Sequence, residues 1–101
     1  MIEFRIKLLE QAEKDFYSYV SHIHSQYGMP ITALKHYEEL SAVINSLKTN
    51  PERYPIRENL SLQQYGNNIR RVNYKKMTII YSIDGFVVYV HRVVAASMVI
   101  D

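Results

Sequence analysis

Residues 69–93 hold three strand-length apolar stretches, Ile69–Tyr74, Met77–Ile83 and Phe86–Val93, each separated from the next by only two residues. Breaks that short join antiparallel neighbours into a meander. Asp84-Gly85 is a two-residue hairpin signal, and Lys75-Lys76 falls in the other turn. A small meander with an apolar face needs a second layer to bury it. What can supply that layer is therefore the first question to put to the rest of the chain.

The N-terminus answers in two parts. Ile2, Phe4, Ile6 and Leu8 alternate with Glu3, Arg5 and Lys7, the period of a strand with one buried face. From Glu10 the period lengthens. Ala12, Phe16, Tyr19/Val20, Ile23 and Tyr27 recur every three to four residues, acidic Glu10, Glu13 and Asp15 sit in the opening turns, and Gly28 supplies a stop. A second helix opens at Met29-Pro30, carries Leu34, Tyr37, Leu40, Ile44 and Leu47, and ends at Asn50-Pro51. The short link between them implies an antiparallel helical hairpin. Residues 51–68, with two prolines and Gly66-Asn67-Asn68, read as loop with room for a short turn or edge strand. The order is β-α-α-β-β-β. It predicts a single α+β domain over residues 1–101, a two-layer sandwich with the hairpin on one face of a small, mainly antiparallel sheet that includes the first strand.

Composition narrows the classes. The 101 residues are 48% hydrophobic and 22% charged, ordinary values for a globular domain. With no cysteine there is neither a disulfide framework nor a thiolate metal site, which suits a reducing cytoplasm. No apolar run approaches the roughly 18 residues of a membrane span, and the N-terminus is not patterned as a signal peptide. Net charge is +2, but residues 51–83 carry 6 Lys/Arg against 2 Asp/Glu, a basic bias that suits an acidic partner or a polyanion.

Several short pieces of this chain have a familiar order. Gln11-Ala12-Glu13-Lys14-Asp15-Phe16, then Asn50-Pro51-Glu52-Arg53-Tyr54-Pro55, then Ile69-Arg70-Arg71 with Tyr74, Ile79-Ile80-Tyr81-Ser82-Ile83 and Val88-Tyr89-Val90-His91-Arg92-Val93 together resemble the toxins of the RelE/ParE superfamily, which includes plasmid-stabilisation proteins. The resemblance spans essentially the whole chain. It implies a toxin neutralised by a cognate antitoxin whose C-terminal segment wraps it, in a higher-order complex. RelE-like members cleave messenger RNA on the ribosome, ParE-like members inhibit DNA gyrase, and some relatives have no clear toxicity.

The residues bear on that choice. Arg70, Arg71, Lys75 and Lys76 place four cations in seven residues, with Tyr74 among them. They are candidates for partner or target binding, able to grip phosphates and stack a base, or else charges on a solvated strand. Alternation sets Arg70 and Tyr74 on one face and Arg71 on the other. Apolar Val99 and Ile100 near the C-terminus would pack on the sheet or be covered by a partner. Metal-free RNA cleavage needs cations to stabilise a pentacoordinate phosphate and an acid–base pair. Arg71, His91 and Arg92 are the candidates, though alternation expects His91 and Arg92 on opposite faces. The family's nucleases add Arg or Lys and then Tyr or His after the last strand, whereas Val94–Asp101 holds none of these. Binding is therefore expected over catalysis: gyrase inhibition first, ribosome-dependent RNA cleavage second, and a non-toxic interaction module third. His22, His24 and His36 are not spaced to share a metal, and no cofactor is expected. Among the nine tyrosines, Tyr19, Tyr27, Tyr37 and Tyr81 fall at core positions, while Tyr54, Tyr65, Tyr74 and Tyr89 are freer to line a groove.

Overall fold

The computed structural model describes residues 2–28 and 30–99, the side chains of Gln26, Tyr27 and Pro30 excepted. The expected order holds: β1 (Arg5–Leu8), α1 (Glu10–Tyr27), α2 (Pro30–Asn45), a single turn α3 (Leu60–Gln63), then β2 (Arg70–Tyr74), β3 (Met77–Asp84) and β4 (Val87–Ala95). The sheet runs β1-β4-β3-β2. β2–β3 and β3–β4 are antiparallel, while β1 lies parallel to β4 with Arg5 opposite Val87 and Leu8 opposite Val90. The hairpin between β3 and β4 turns on Gly85-Phe86, one residue later than the sequence indicates, because Asp84 still pairs with Val87. Gly85 takes φ 61°, a conformation only glycine adopts freely.

Local chemistry sets the helix ends. Gly28, at φ 61°, closes α1 with its N–H on the His24 carbonyl at 2.8 Å. α2 stops at Asn45, earlier than Asn50-Pro51 suggests. A 3-10 turn over Ser46–Lys48 and left-handed Asn50 (φ 51°) carry the chain into a second 3-10 turn at Pro51–Arg53. Within residues 51–68, Ile56 bridges Arg70, and the Arg57 N–H donates to the Ile69 carbonyl at 2.8 Å.

The helical hairpin packs on one face, as expected. Ala12, Phe16, Leu40, Ile44 and Leu47 meet Val72, Ile79, Tyr81, Val88, Val90 and Val93. Tyr81 is fully buried and donates to the Pro51 carbonyl at 2.6 Å; burial pushes its hydroxyl up to about 12. Two tyrosine assignments change. Tyr37 is 41% exposed rather than buried, its ring edge to face with Phe16. Tyr74 is buried in the hairpin-side core rather than lining a groove. Tyr19 is partly buried against the core, and the Tyr27 side chain lies outside the described residues.

A second, smaller apolar cluster lies on the opposite face, where Leu62, Ile69 and Ile80 gather Tyr65, Val94 and Val99. Val99 therefore packs back on the sheet, and Ile100 lies outside the described residues. No helix among the described residues is long and apolar enough to cross a membrane.

Candidate functional site

The geometry of the candidate residues turns on one irregularity in β4. Tyr81 pairs with Val90 but Ile80 with Arg92, so His91 is an extra residue on β4 with no opposite number on β3. The bulge resets the alternation. Val88, Val90 and Val93 all face the hairpin, and Arg92 lands opposite Ile80, itself opposite Arg71. Arg71, Ile80 and Arg92 thus form one row across three strands on the face away from the hairpin. The expectation that His91 and Arg92 take opposite faces fails here. His91 shares a 2.8 Å hydrogen bond through Nε2 with Oγ of Ser82, and its ring lies 5.9 Å from that of Tyr65, both on this face. The three candidates for catalysis are on one surface after all.

Their engagements limit what they can do. β1 ends opposite Val90, so β4 runs on with a bare edge, and Asp15 of α1 fills in for the missing strand. Its Oδ2 accepts from the Val93 N–H at 3.0 Å and from Arg92 Nε at 2.6 Å, and its Oδ1 accepts from Arg92 Nη2 at 3.2 Å. Burial raises the Asp15 pKa, but the hydrogen bonds from Arg92, Val93 and Gln11 outweigh it and hold the carboxyl below the usual range. The same bond lifts Arg92 further. The Arg92 charge is thereby neutralised at its own site. Burial lowers His91, which favours a neutral ring. Arg71 is half-buried, with its Nη1 atom out of contact with water. A cavity of about 210 Å³ beside this row is lined by Leu62, Tyr65, Ile80, Arg92, Val94 and Val99, among others.

The remaining candidates for binding go elsewhere. Arg70 lies on the hairpin side and donates to the carbonyls of Glu52 and Tyr54, clamping the 51–55 segment to β2. Tyr74 donates to Glu39 at 2.9 Å, and Lys75 lies 3.5 Å from the same carboxylate. Burial, then Glu39, raises the tyrosine, while the bond from Tyr74 and the charge of Lys75 lower Glu39. Lys75, at φ 53°, and Lys76 form the β2–β3 turn. Arg70 and Arg71 therefore do not border a single groove with Val99.

One concave surface is a feature that sequence reasoning missed. Ile6 and Leu8 of β1, Phe16 and Tyr17 of α1, and Tyr37 and Ile44 of α2 line a groove of about 410 Å³, with Glu13 and Lys48 also at its wall. Tyr17 is 65% exposed, and the Phe16 and Tyr37 rings meet edge to face at 5.1 Å. The available signal was the short first strand with charges at Arg5 and Lys7, a pattern that marks a sheet edge. Among the described residues, no three His, Asp or Glu side chains are grouped to hold a metal.

A family model, the ParE toxin of the type II toxin-antitoxin system parDE, matches residues 6–100. No curated protein sequence matches the chain. Solved structures share its fold, two of them over nearly the whole chain. One, titled as the chromosomal ParDE toxin–antitoxin system from P. aeruginosa, superposes with a TM-score of 0.73 at 15% identity, covering 92% of this chain and 96% of that one. The other, the RelBE2 toxin–antitoxin complex from Mycobacterium tuberculosis, gives 0.64 at 16% identity, covering 96% and 95%.

Proposed function

Because the chain belongs to the ParE toxin family of type II toxin–antitoxin systems, we propose that it acts by binding its target, DNA gyrase, rather than by catalysis. A cognate antitoxin neutralises it by filling the groove of mixed apolar and polar lining between β1 and the helical hairpin. Both similar structures are titled as toxin–antitoxin systems or complexes, which supports a partner of that kind. The observation that carries the non-catalytic reading is the 2.6 Å ion pair of Arg92 with Asp15. A guanidinium already satisfied by a carboxylate offers little to a developing phosphate charge. His91, kept neutral by burial and held by Ser82, is a weak proton donor at neutral pH.

One observation favours a second reading. The bulge gathers Arg71, His91 and Arg92 on one face, as a ribosome-dependent endoribonuclease would require. Expression of the chain alone separates the two. Growth arrest with relaxed or broken DNA, and intact messenger RNA by primer extension, supports target binding. Cuts at codon positions that vanish in an Arg71→Ala, His91→Ala double variant overturn it in favour of the nuclease. No arrest at all would leave a non-toxic interaction module.

A further inference from the structure

Tyr81 of β3 points into the hairpin-side core. Alternation therefore sets Ser82 on the opposite face, directly across from Tyr89 of β4. The next β4 side chain on that face is His91, the extra residue of the bulge, and its ring reaches back diagonally until Nε2 lies 2.8 Å from Ser82 Oγ. A bulge re-aims a side chain in this way. Both residues are half-buried, open enough for a small molecule to reach them, and the Tyr65 ring walls one side, 5.9 Å from that of His91. A hydroxyl hydrogen-bonded to a neutral imidazole is the arrangement of an activated nucleophile. Burial of His91 favours that neutral ring.

The surroundings decide what such a nucleophile could attack. Lys7 lies in the same row beyond Tyr89, two strand spacings or roughly 10 Å from β3. The row on one side is Arg71, Ile80 and Arg92, and on the other Asp84, Val87 and Arg5, with exposed Glu3 ahead of Arg5 on the same face. Asp15 cancels Arg92. Arg5, Lys7 and Arg71 then stand against Glu3 and Asp84, one cation in excess, so a small anion is not repelled. β3 is an inner strand, and Ser82 cannot be drawn out as an extended segment into the cleft of a modifying enzyme. The donor must be small. Backbone N–H groups of a sheet lie in its plane, aimed at neighbouring strands, and so do not stand out of this face to stabilise an oxyanion. The donor must also arrive activated, with a leaving group that departs without being protonated. An acyl phosphate meets these requirements.

We infer that Ser82 and His91 form a nucleophile–base pair, and that Ser82 is a site of covalent acylation by small acyl phosphates. The Ser82 Oγ attacks the acyl carbon and its proton passes to His91 Nε2. The bond from that carbon to the phosphate oxygen breaks, and phosphate leaves with the electron pair. His91 then returns its proton to solvent, leaving an ester on Ser82. The tautomer this requires has the proton on Nδ1 and a bare Nε2. The inference is independent of the toxin reading.

The test treats the purified full chain with acetyl phosphate at neutral pH and maps adducts by mass spectrometry. An ester, removable by hydroxylamine where a lysine amide is not, is expected on Ser82. It should form at least about 100-fold faster than on Ser97, which is exposed near the C-terminus and serves as the internal reference. His91→Gln, its fold checked by circular dichroism, can still hydrogen-bond Ser82 but cannot take its proton. It should slow the acylation at least about 100-fold, whereas a His91 that merely packs against Ser82 would leave the rate unchanged. Nitrogen-15 spectra of the wild-type ring, which need no variant, should show a protonated Nδ1 and a bare Nε2. Labelling of Ser82 no faster than Ser97, a rate in His91→Gln equal to wild type, or a proton resident on Nε2 each overturns the proposal. None of these readouts involves growth or an antitoxin, so the toxin reading stands or falls separately.

Discussion

Replacing Asp15 with alanine should cost far more than an ordinary helix-surface substitution. The Asp15 side chain is only 12% exposed, and its two oxygens serve three donors on β4 together with Gln11. Breaking a buried ion pair by removing one partner costs about 3–5 kcal/mol, because the other charge is left stranded. That figure applies in part, since Arg92 keeps 30% of its side chain exposed and can turn to water. Losing the acceptor for the Val93 N–H adds about 1 kcal/mol. A total of about 3 kcal/mol results, or a fall in Tm on the order of 12–24 °C for a domain of this size. Urea unfolding with unchanged m-value is the assay. Asp15→Asn keeps an acceptor for the Val93 N–H and should cost about half as much. Asp15→Leu combined with Arg92→Leu should recover about 1–3 kcal/mol relative to the sum of the singles. The reasoning fails if Asp15→Ala costs less than about 0.5 kcal/mol, or if the two leucine substitutions are strictly additive. The clamp has a pH signature too. With its carboxyl held below 3.8 in the fold, its contribution is full above that value and is lost as pH falls through the folded pKa.

Three other outcomes follow from particular residues. Thr78 is fully buried and its hydroxyl has no hydrogen-bond partner among the described residues, so Thr78→Val should be neutral or stabilise by up to about 1 kcal/mol in thermal unfolding; a loss of stability would mean that the hydroxyl is engaged. Gly85→Ala should cost about 1 kcal/mol through φ alone, because a methyl there meets nothing within 4 Å, and an unchanged urea midpoint would contradict this. His91 titrates near 6.5 when unfolded and lower when buried, so the unfolded chain binds more protons between the two values. Stability should therefore begin to fall as pH drops below about 7, with the loss complete under the folded value. His91→Gln should flatten that stretch of the stability–pH curve, and a persistent slope would assign it to another group.

Much of this architecture was legible without coordinates, because it rests on short-range periodicity. The period-2 run Ile2–Leu8, the helical spacing from Ala12 to Tyr27, the Gly28 stop and the two-residue breaks at Lys75-Lys76 and near Gly85 each depend on neighbours a few residues apart. The two helices could bury their apolar stripes only against the one sheet available. The placement of the candidate residues was a different matter. Strict alternation separates His91 from Arg92, and a single unpaired residue in β4 reunites them; nothing in Val90-His91-Arg92-Val93 marks it. The bulge sits just past the residue at which β1 stops pairing, where Asp15, 78 positions before Val93 in the chain, takes over the vacated edge. Tyr37 follows the same logic. Its spacing is that of a core residue, but the ring is 41% exposed and lines a groove together with Ile6 and Leu8 of β1. Periodicity identifies which face of an element is apolar. Whether another element reaches that face depends on lengths and contacts between residues far apart in sequence, and only the folded chain determines those.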